Sequence, residues 1–287
     1  LFSVSQKDSS KSPEIKNVKK LHSGLSSLGI TPQRTSTSKL MLFHDLLIDA
    51  NTKVNLTKIL NWPEVIVRHY LDSLSVVMAV PSLFEEREKI LDIGSGFGMP
   101  GIPMKVMFPG NDLVMLDSVK KKVEFIDFAV KEMNLPNVET VVGRAEDIAK
   151  KRKHREKYSM VVSRAVATLP VLLEFALPFC SIGGTFIAMK GSRVQSEIDR
   201  SENALNLLGG QIDRVVNVED KLPFLPGRLV VIRKIAETPE IYPRKAGIPK
   251  KRPLCSLRQN LFLYFSESYR KKMVSNLILS QEVKIRF

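Results

Sequence analysis

The stretch from Lys89 to Pro103, "KILDIGSGFGMPGIP", sets the tightest limit on what this chain can become: a short apolar run carrying one aspartate meets four glycines and two prolines. A run of that length reads as a buried strand. Glycines directly behind it allow a sharp turn and let a ligand come close to the main chain, while the helix that follows is expected to offer free N–H groups to an anion. Gly96, Gly98 and Gly101 satisfy G-x-G-x-x-G, a pattern that alone is weak support for a dinucleotide site. In an open α/β sheet such a turn lies at the carboxyl end of the first strand, where ligands collect.

The remaining chain carries the matching periodicity. Beyond Lys89, strand-like runs alternate with helical stretches: "KILDIG", 100–108, "DLVMLD", 119–134, "VETVVG", 145–153, "YSMVVSRA", about 168–179, "GTFIAMKG" and 193–208. Two last strands follow near 211–219 and 228–235, suited to an antiparallel hairpin at a sheet edge. The alternation predicts a mostly parallel sheet with helices on both faces. Ahead of it, Leu40, Phe43, Leu47 and Ala50 recur at helical spacing, and Pro63 suits the first position of a helix reaching about Val80. These make a small helical cap over about 40–82. Residues 1–39, rich in Ser, Lys and Thr, read as a basic and mostly disordered arm.

Charge narrows the function classes. Of a net +14, residues 1–39 hold seven Lys and Arg against two acids, and residues 240–287 hold eleven against three. The body between is almost neutral, which suits an enzyme with polyanion-gripping ends, although solvated tails would give the same count. No apolar run approaches the roughly 18 residues of a membrane span, so a soluble, intracellular protein is expected. The chain starts at Leu1; Asp8, Glu14 and the few arginines near that end argue against an organelle transit peptide. Cys180 and Cys255 stand far apart, and His22, His44, His69 and His154 lack ligand spacing, so reduced thiols and no metal are expected.

Three consecutive strand ends carry polar groups. Asp92 and Gly94 close the first, Asp117 the second, where a carboxylate can accept from ribose hydroxyls, and "GRAED" (143–147) the third, with Ala145 and Glu146 bordering an adenine pocket. Taken singly, Asp92 and Glu146 also read as helix caps and Asp117 as a turn residue. Asp92 beside the glycines would repel a pyrophosphate, yet it could receive the ammonium of a methionine moiety directly or through water. S-adenosylmethionine therefore fits better than a dinucleotide.

"NLT" (55–57), "RHYLDSL" (68–74), "LDIGSGFGMPGIP", "LDSVKKKVEF" (116–125), "GRAED", "SRAVA" (163–167), "MKG" (189–191) and "YPRKAGIPKKRPL" (242–254) together resemble the RsmG family of 16S ribosomal RNA guanine-N7 methyltransferases. That family is also called glucose-inhibited division protein B. The resemblance runs in order from about Leu40 to Leu254. It implies a class I methyltransferase fold of seven strands, Rossmann-like with helices on both faces, and S-adenosyl-L-methionine as cofactor. It implies transfer to one guanine near the decoding centre of small-subunit rRNA, with free 16S rRNA or an assembly intermediate as partner; a cytoplasmic location and a monomer are expected beside it. Gly94, Met99, Ala145, Glu146 and Arg164 are implied cofactor contacts, joined by Asp92, Gly96 and Asp117 from the reading above. The methyltransferase domain then spans 40–254, with a core of about 88–236 and a basic loop at 240–254; residues 255–287 form an extension of unknown role.

The residues agree with that chemistry. Ser163-Arg164-Ala165 ends the fourth strand where exocyclic-amine methylation would want an N-P-P-Y, and neither cysteine is placed as a nucleophile: Cys180 reads as lying in an apolar helical stretch. Guanine N7 already has an in-plane lone pair, so position rather than a general base is required. Arg164 can position the base through O6 or fix the cofactor, or it can be a buried partner of Glu146 or Asp92. An N7 inside an A-form stem is out of reach, so the target is looped out or single-stranded. Lys121, Lys122, Lys190, Arg244, Lys245, Lys250, Lys251 and Arg252 are the expected RNA contacts, and the run "KKRKHREK" (150–157) reads as a solvated helix end. His69 and Asp72, three residues apart, are expected to pair, or else Asn55, Arg68 and His69 face the RNA entrance. The rival readings are an NAD-dependent oxidoreductase on the same glycine turn and a non-catalytic RNA-binding assembly protein.

Overall fold

The structure, a computed structural model, describes residues 13–81 and 87–255. The extreme N-terminal part of the basic arm and residues 256–287 of the extension lie outside the described residues.

Seven strands form one sheet in the order β3-β2-β1-β4-β5-β7-β6. They are β1 (Lys89–Ile93), β2 (Asp112–Asp117), β3 (Val138–Val142), β4 (Tyr158–Arg164), β5 (Cys180–Lys190), β6 (Gly210–Asn217) and β7 (Arg228–Lys234). β1 to β5 run parallel, and β7 is inserted antiparallel between β5 and β6. The hairpin of the last two strands is thus present, with the later strand on the inside. The order reverses between β1 and β4, and the crevice for a ligand lies above that switch point.

Both faces of the sheet are covered, which explains why the strands read as continuous apolar runs rather than alternating ones. Along β4, Met160 and Val162 join one core cluster while Val161 joins the other. The first cluster also holds the helical cap together with α5 (Gly101–Met107) and α6 (Lys120–Glu132), and the second packs α8 (Leu169–Ala176) and α10 (Glu202–Leu208).

The cap is larger than the sequence suggests. α1 (Pro13–Ser27) is helical where a disordered arm was expected, because Leu21 and Leu25 share one face and are fully buried. Lysines and serines on the other turns hide that stripe from composition. α2 (Arg34–Asn51) buries Leu40, Phe43 and Leu47 as its periodicity predicts. α3 (Trp62–Val65) then widens into a π turn over Ile66–Leu71 and returns to α geometry in α4 (Asp72–Leu74). That π turn falls on "IVRHYL" and faces the carboxyl end of β4; such turns recur at functional sites.

Elsewhere the boundaries shift. The helix expected over 145–153 is only α7 (Ala145–Ile148), and that over 193–208 is broken into α9 (Gln195–Asp199) and α10. A short α11 (Ile248–Lys251) closes the basic loop. The "KKRKHREK" run is only in part a solvated helix end: Lys150, Lys151, Arg152 and Lys153 are exposed just past α7, but His154 is buried with Nδ1 2.6 Å from the Tyr158 hydroxyl. Arg155 donates to the carbonyls of Thr238, Pro239 and Tyr242 at 2.6, 3.2 and 3.0 Å, so it clasps the start of the basic loop. Cys180 opens β5 rather than lying in a helix, and burial pushes its thiol up to about 12, which leaves no nucleophilic thiolate.

Candidate active site

A cleft of about 410 Å³ opens over the carboxyl ends of β1, β2 and β3, bounded by Gly94, Gly96, Met99, Asp117, Ala145 and Glu146 and reaching Arg164. Seven of the eight expected cofactor residues therefore line one space. The eighth, Asp92, does not.

The turn is built by backbone closure. Gly94 and Ser95 N–H both donate to the Leu116 carbonyl, at 2.7 and 3.2 Å, which ties the loop to β2. Gly94 has φ +72°, and a Cβ there would meet Val166 Cγ2 at 2.4 Å; only glycine fits between the turn and the loop after β4. Asp92 is fully buried behind the turn, its Oδ2 accepting the Gly101 N–H at 3.0 Å. A Cβ on Gly101 would stand 2.9 Å from that oxygen. Asp92 thus buckles α5 to β1. Burial pushes its carboxyl up to about 7, against the Gly101 bond and the charge of Arg164, and its Oδ1 has no partner among the described residues.

This arrangement corrects the expectation that the helix after the turn offers free N–H groups. Gly101 N–H is taken by Asp92, Ile102 N–H by the Gly98 carbonyl at 2.7 Å, and Pro100 and Pro103 have none. In the turn itself, Phe97 N–H is the one without a partner among the described residues, and Phe97 lines the cleft.

Asp117 is 8% exposed; Oδ2 accepts Gly96 N–H at 2.9 Å and Oδ1 accepts Val119 N–H at 2.8 Å. Each oxygen keeps a second lone pair, so a clamped carboxylate can still receive ribose hydroxyls from the cleft side. Glu146 is 1% exposed and its Oε1 accepts Gly247 N–H at 3.0 Å, with Arg144 Nη2 at 3.5 Å. It therefore joins the wall of this cleft to the basic loop, a link that sequence spacing of 101 residues does not reveal.

Arg164 pairs with neither Glu146 nor Asp92. Its Nη1 donates to Asp72 Oδ2 at 2.7 Å and to the Arg68 carbonyl at 2.9 Å, which pins the π turn of the cap over the end of β4. The next residue, Ala165, holds a left-handed φ of +57°, a strained conformation of the kind that concentrates at ligand sites. The expected His69–Asp72 pair is not formed, because Arg164 claims the carboxylate. His69 instead lies 3.4 Å from Thr57 Oγ1 and packs edge-on to Phe97 at 5.0 Å. Burial, then the charge of Arg164, lowers its pKa to about 4, so the ring is neutral at physiological pH.

Of the expected RNA contacts, Lys122 and Lys250 line this cleft, and Lys121, Lys245, Lys251 and Arg252 are exposed near them in sequence. Two cations are committed inward. Lys190 Nζ binds Glu197 Oε2 at 2.7 Å and the Ala167 carbonyl at 2.8 Å; Arg244 makes a bidentate pair with the fully buried Glu174. Phe97 and Asp72 are site residues that motif spacing alone did not select; a contact between strand end and cap was the missing information.

A mainly parallel sheet with an antiparallel β7, a glycine turn after β1 and a clamped acidic residue ending β2 together define a class I S-adenosylmethionine-dependent methyltransferase. Residues 36–225 match the family described as rRNA small subunit methyltransferase G, or GidB, and the chain belongs to that family. It is 43% identical over 233 residues to the ribosomal RNA small subunit methyltransferase G of Pelotomaculum thermopropionicum, covering 80% of this chain and 96% of that one. Its counterpart in Alkaliphilus metalliredigens is 43% identical over 236 residues, covering 82% and 97%. That of Clostridium novyi is 45% identical over 212 residues, covering 74% and 86%. An oxidoreductase on the same glycine turn is thereby set aside.

Proposed function

We propose that the chain transfers a methyl group from S-adenosylmethionine to N7 of a single guanine in 16S rRNA. The observation that carries this reading is the position of Arg164, at the meeting point of the cofactor cleft and a second cleft that opens beneath the cap. S-adenosylmethionine supplies an electrophilic methyl group when bound. Asp117 and Glu146 would hold the nucleoside end of the cofactor and the glycine turn its amino-acid end. Guanine N7 is nucleophilic as it stands, so the chain's part is orientation and exclusion of water. No general base is required, which suits a site beside which His69 is neutral, buried and packed on Phe97.

Arg164 can donate to guanine O6, beside N7 on the same edge, and so fix the reacting atom. Lys122 and Lys250 at the cleft, with Lys121, Lys245, Lys251 and Arg252, would track the phosphates on either side of an unpaired target. Among the described residues no helix is long and apolar enough to cross a membrane and no group of His, Cys, Asp and Glu could hold a metal, and the proposed reaction needs neither. The proposed substrate is protein-free 16S rRNA or an early assembly intermediate in the cytoplasm, met by a monomer. The test is to map 7-methylguanine in 16S rRNA from cells with and without the protein. One guanine should lose its modification in the deletion; an unchanged map overturns the reading.

A further inference from the structure

The second cleft, about 580 Å³, lies on the other side of Arg164 and Ala165 from the cofactor cleft and shares both residues with it. Its walls come from the π turn (Arg68), the start of α4 (Asp72), the end of β5 with the residue after it, and the loop between β6 and β7, including Phe224. Three features of these walls bear on what the cleft could bind. Asp72 gives one carboxylate oxygen to Arg164, and its Oδ1 has no partner among the described residues. Arg164 uses only Nη1, leaving Nη2 and Nε without partners there. Phe224 is 53% exposed although it is a large apolar side chain.

Phe128 is 48% exposed as well, so exposure alone is ordinary; what sets Phe224 apart is its place in the same cleft as Arg164 and Asp72. Here it sits between Leu222, fully buried, and Leu225, 9% exposed, so the loop is anchored on both sides of it. Glu219 fastens the far end of the same loop, accepting from Gly227 N–H at 3.2 Å and from Arg228 Nη1 at 2.5 Å. The ring is thus presented by a fixed loop. A flat aromatic face beside a guanidinium and a half-used carboxylate has the chemistry of a base pocket.

We propose that this cleft receives the target guanine, with Asp72 Oδ1 accepting from its N1–H and N2–H edge, Arg164 donating to O6, and Phe224 stacking on the ring. Guanine presents acceptor then donor along consecutive positions, O6 then N1–H, and the Arg164–Asp72 pair presents the complementary donor then acceptor. Adenine reverses both, setting its N6–H against the guanidinium and its N1 lone pair against the carboxylate. Asp72 is thereby the residue that selects guanine, while N7 points along the shared wall toward the cofactor cleft. This inference rests on the guanine-N7 reading and names the subsite for it.

The test uses target RNA carrying guanine or inosine at the modified position, since inosine lacks only the N2 amine. The wild-type chain should show kcat/KM lower by about tenfold or more for inosine. Asp72→Asn keeps an oxygen for Arg164 but turns its amide donor toward the base, so this preference should collapse to about onefold while S-adenosylhomocysteine binding stays within about twofold. A purely structural role for Asp72 would depress both substrates together and leave their ratio intact, which overturns the proposal. So does a wild-type chain that treats the two RNAs alike, whatever the variant does. Phe224→Ala should raise KM about tenfold with Phe224→Trp restoring it; equal KM for wild type and Phe224→Ala removes the stacking role. Label found on another nucleoside, or no transfer to guanine RNA by the wild type, would instead defeat the proposed function itself.

Discussion

Replacing Arg244 by alanine separates a structural arginine from an RNA-binding one. Its sequence context, a Pro- and Gly-punctuated basic loop, points to phosphate contact; its geometry points inward. Nε lies 2.9 and 3.2 Å from the two oxygens of Glu174, Nη2 lies 2.6 Å from Oε2, and the backbone N–H of Arg244 adds a bond of 2.8 Å. Glu174 is 0% exposed, on α8 against the second core cluster. Truncating the arginine leaves that carboxylate buried with one remaining bond. Breaking such a pair costs about 3–5 kcal/mol, which for a domain of this size lowers Tm by roughly 10 °C. The guanidinium also holds the Arg252 carbonyl at 2.7 Å, so the basic loop should loosen where it meets the sheet. Urea unfolding followed by fluorescence of Trp62 reads the loss, and RNA binding between low and moderate salt reads the charge. The expected result is a large fall in midpoint with an almost unchanged salt slope. A variant as stable as the parent whose slope falls by about one would show that Arg244 faces phosphate and refute the reasoning.

Three further outcomes follow from the same geometry. Asp117→Ala removes the acceptor of both Gly96 and Val119 N–H as well as the proposed ribose contact, so S-adenosylhomocysteine affinity by calorimetry should fall at least tenfold. Changing Lys250, Lys251 and Arg252 together to Ala should flatten the salt dependence of RNA binding by roughly two to three in slope, with cofactor affinity within about threefold. The carboxyl of Asp92 is held at about 7 when folded against an ordinary 3.8, so the folded state keeps a proton there that the unfolded chain releases. Its contribution is fully present below about pH 4 and is lost as pH rises through 7, a change of about 4 kcal/mol at 1.36 kcal/mol per unit. Asp92→Asn should flatten that part of the stability profile; a profile identical to the parent's would place the titration elsewhere.

The glycine turn, the acid ending β2 and the alternation of strands and helices were legible because each is a local requirement: φ signs, strand length, apolar period. So was the antiparallel final pair, although that β7 and not β6 would sit against β5 was not. Cross-chain commitments stayed hidden. "RHYLDSL" shows two side chains at helical spacing, but the guanidinium that claims Asp72 arrives from 92 residues away. Likewise charge alone cannot tell Lys245, exposed, from Arg244 next to it, whose partner Glu174 lies 70 residues earlier in an apolar helix. α1 was missed for a different reason: its stripe of Leu21 and Leu25 is narrow, and its remaining surface is too polar to register. Phe224 was invisible because its place in one cleft with Arg164 and Asp72 is a property of the fold.

The most direct measurement is transfer of tritiated methyl from S-adenosylmethionine to protein-free 16S rRNA, followed by complete nuclease digestion and separation of the nucleosides. All label should run with 7-methylguanosine at no more than one methyl group per RNA molecule, and Arg164→Ala should abolish it. Cofactor binding with no label on the RNA, or label on any other nucleoside, would contradict the account.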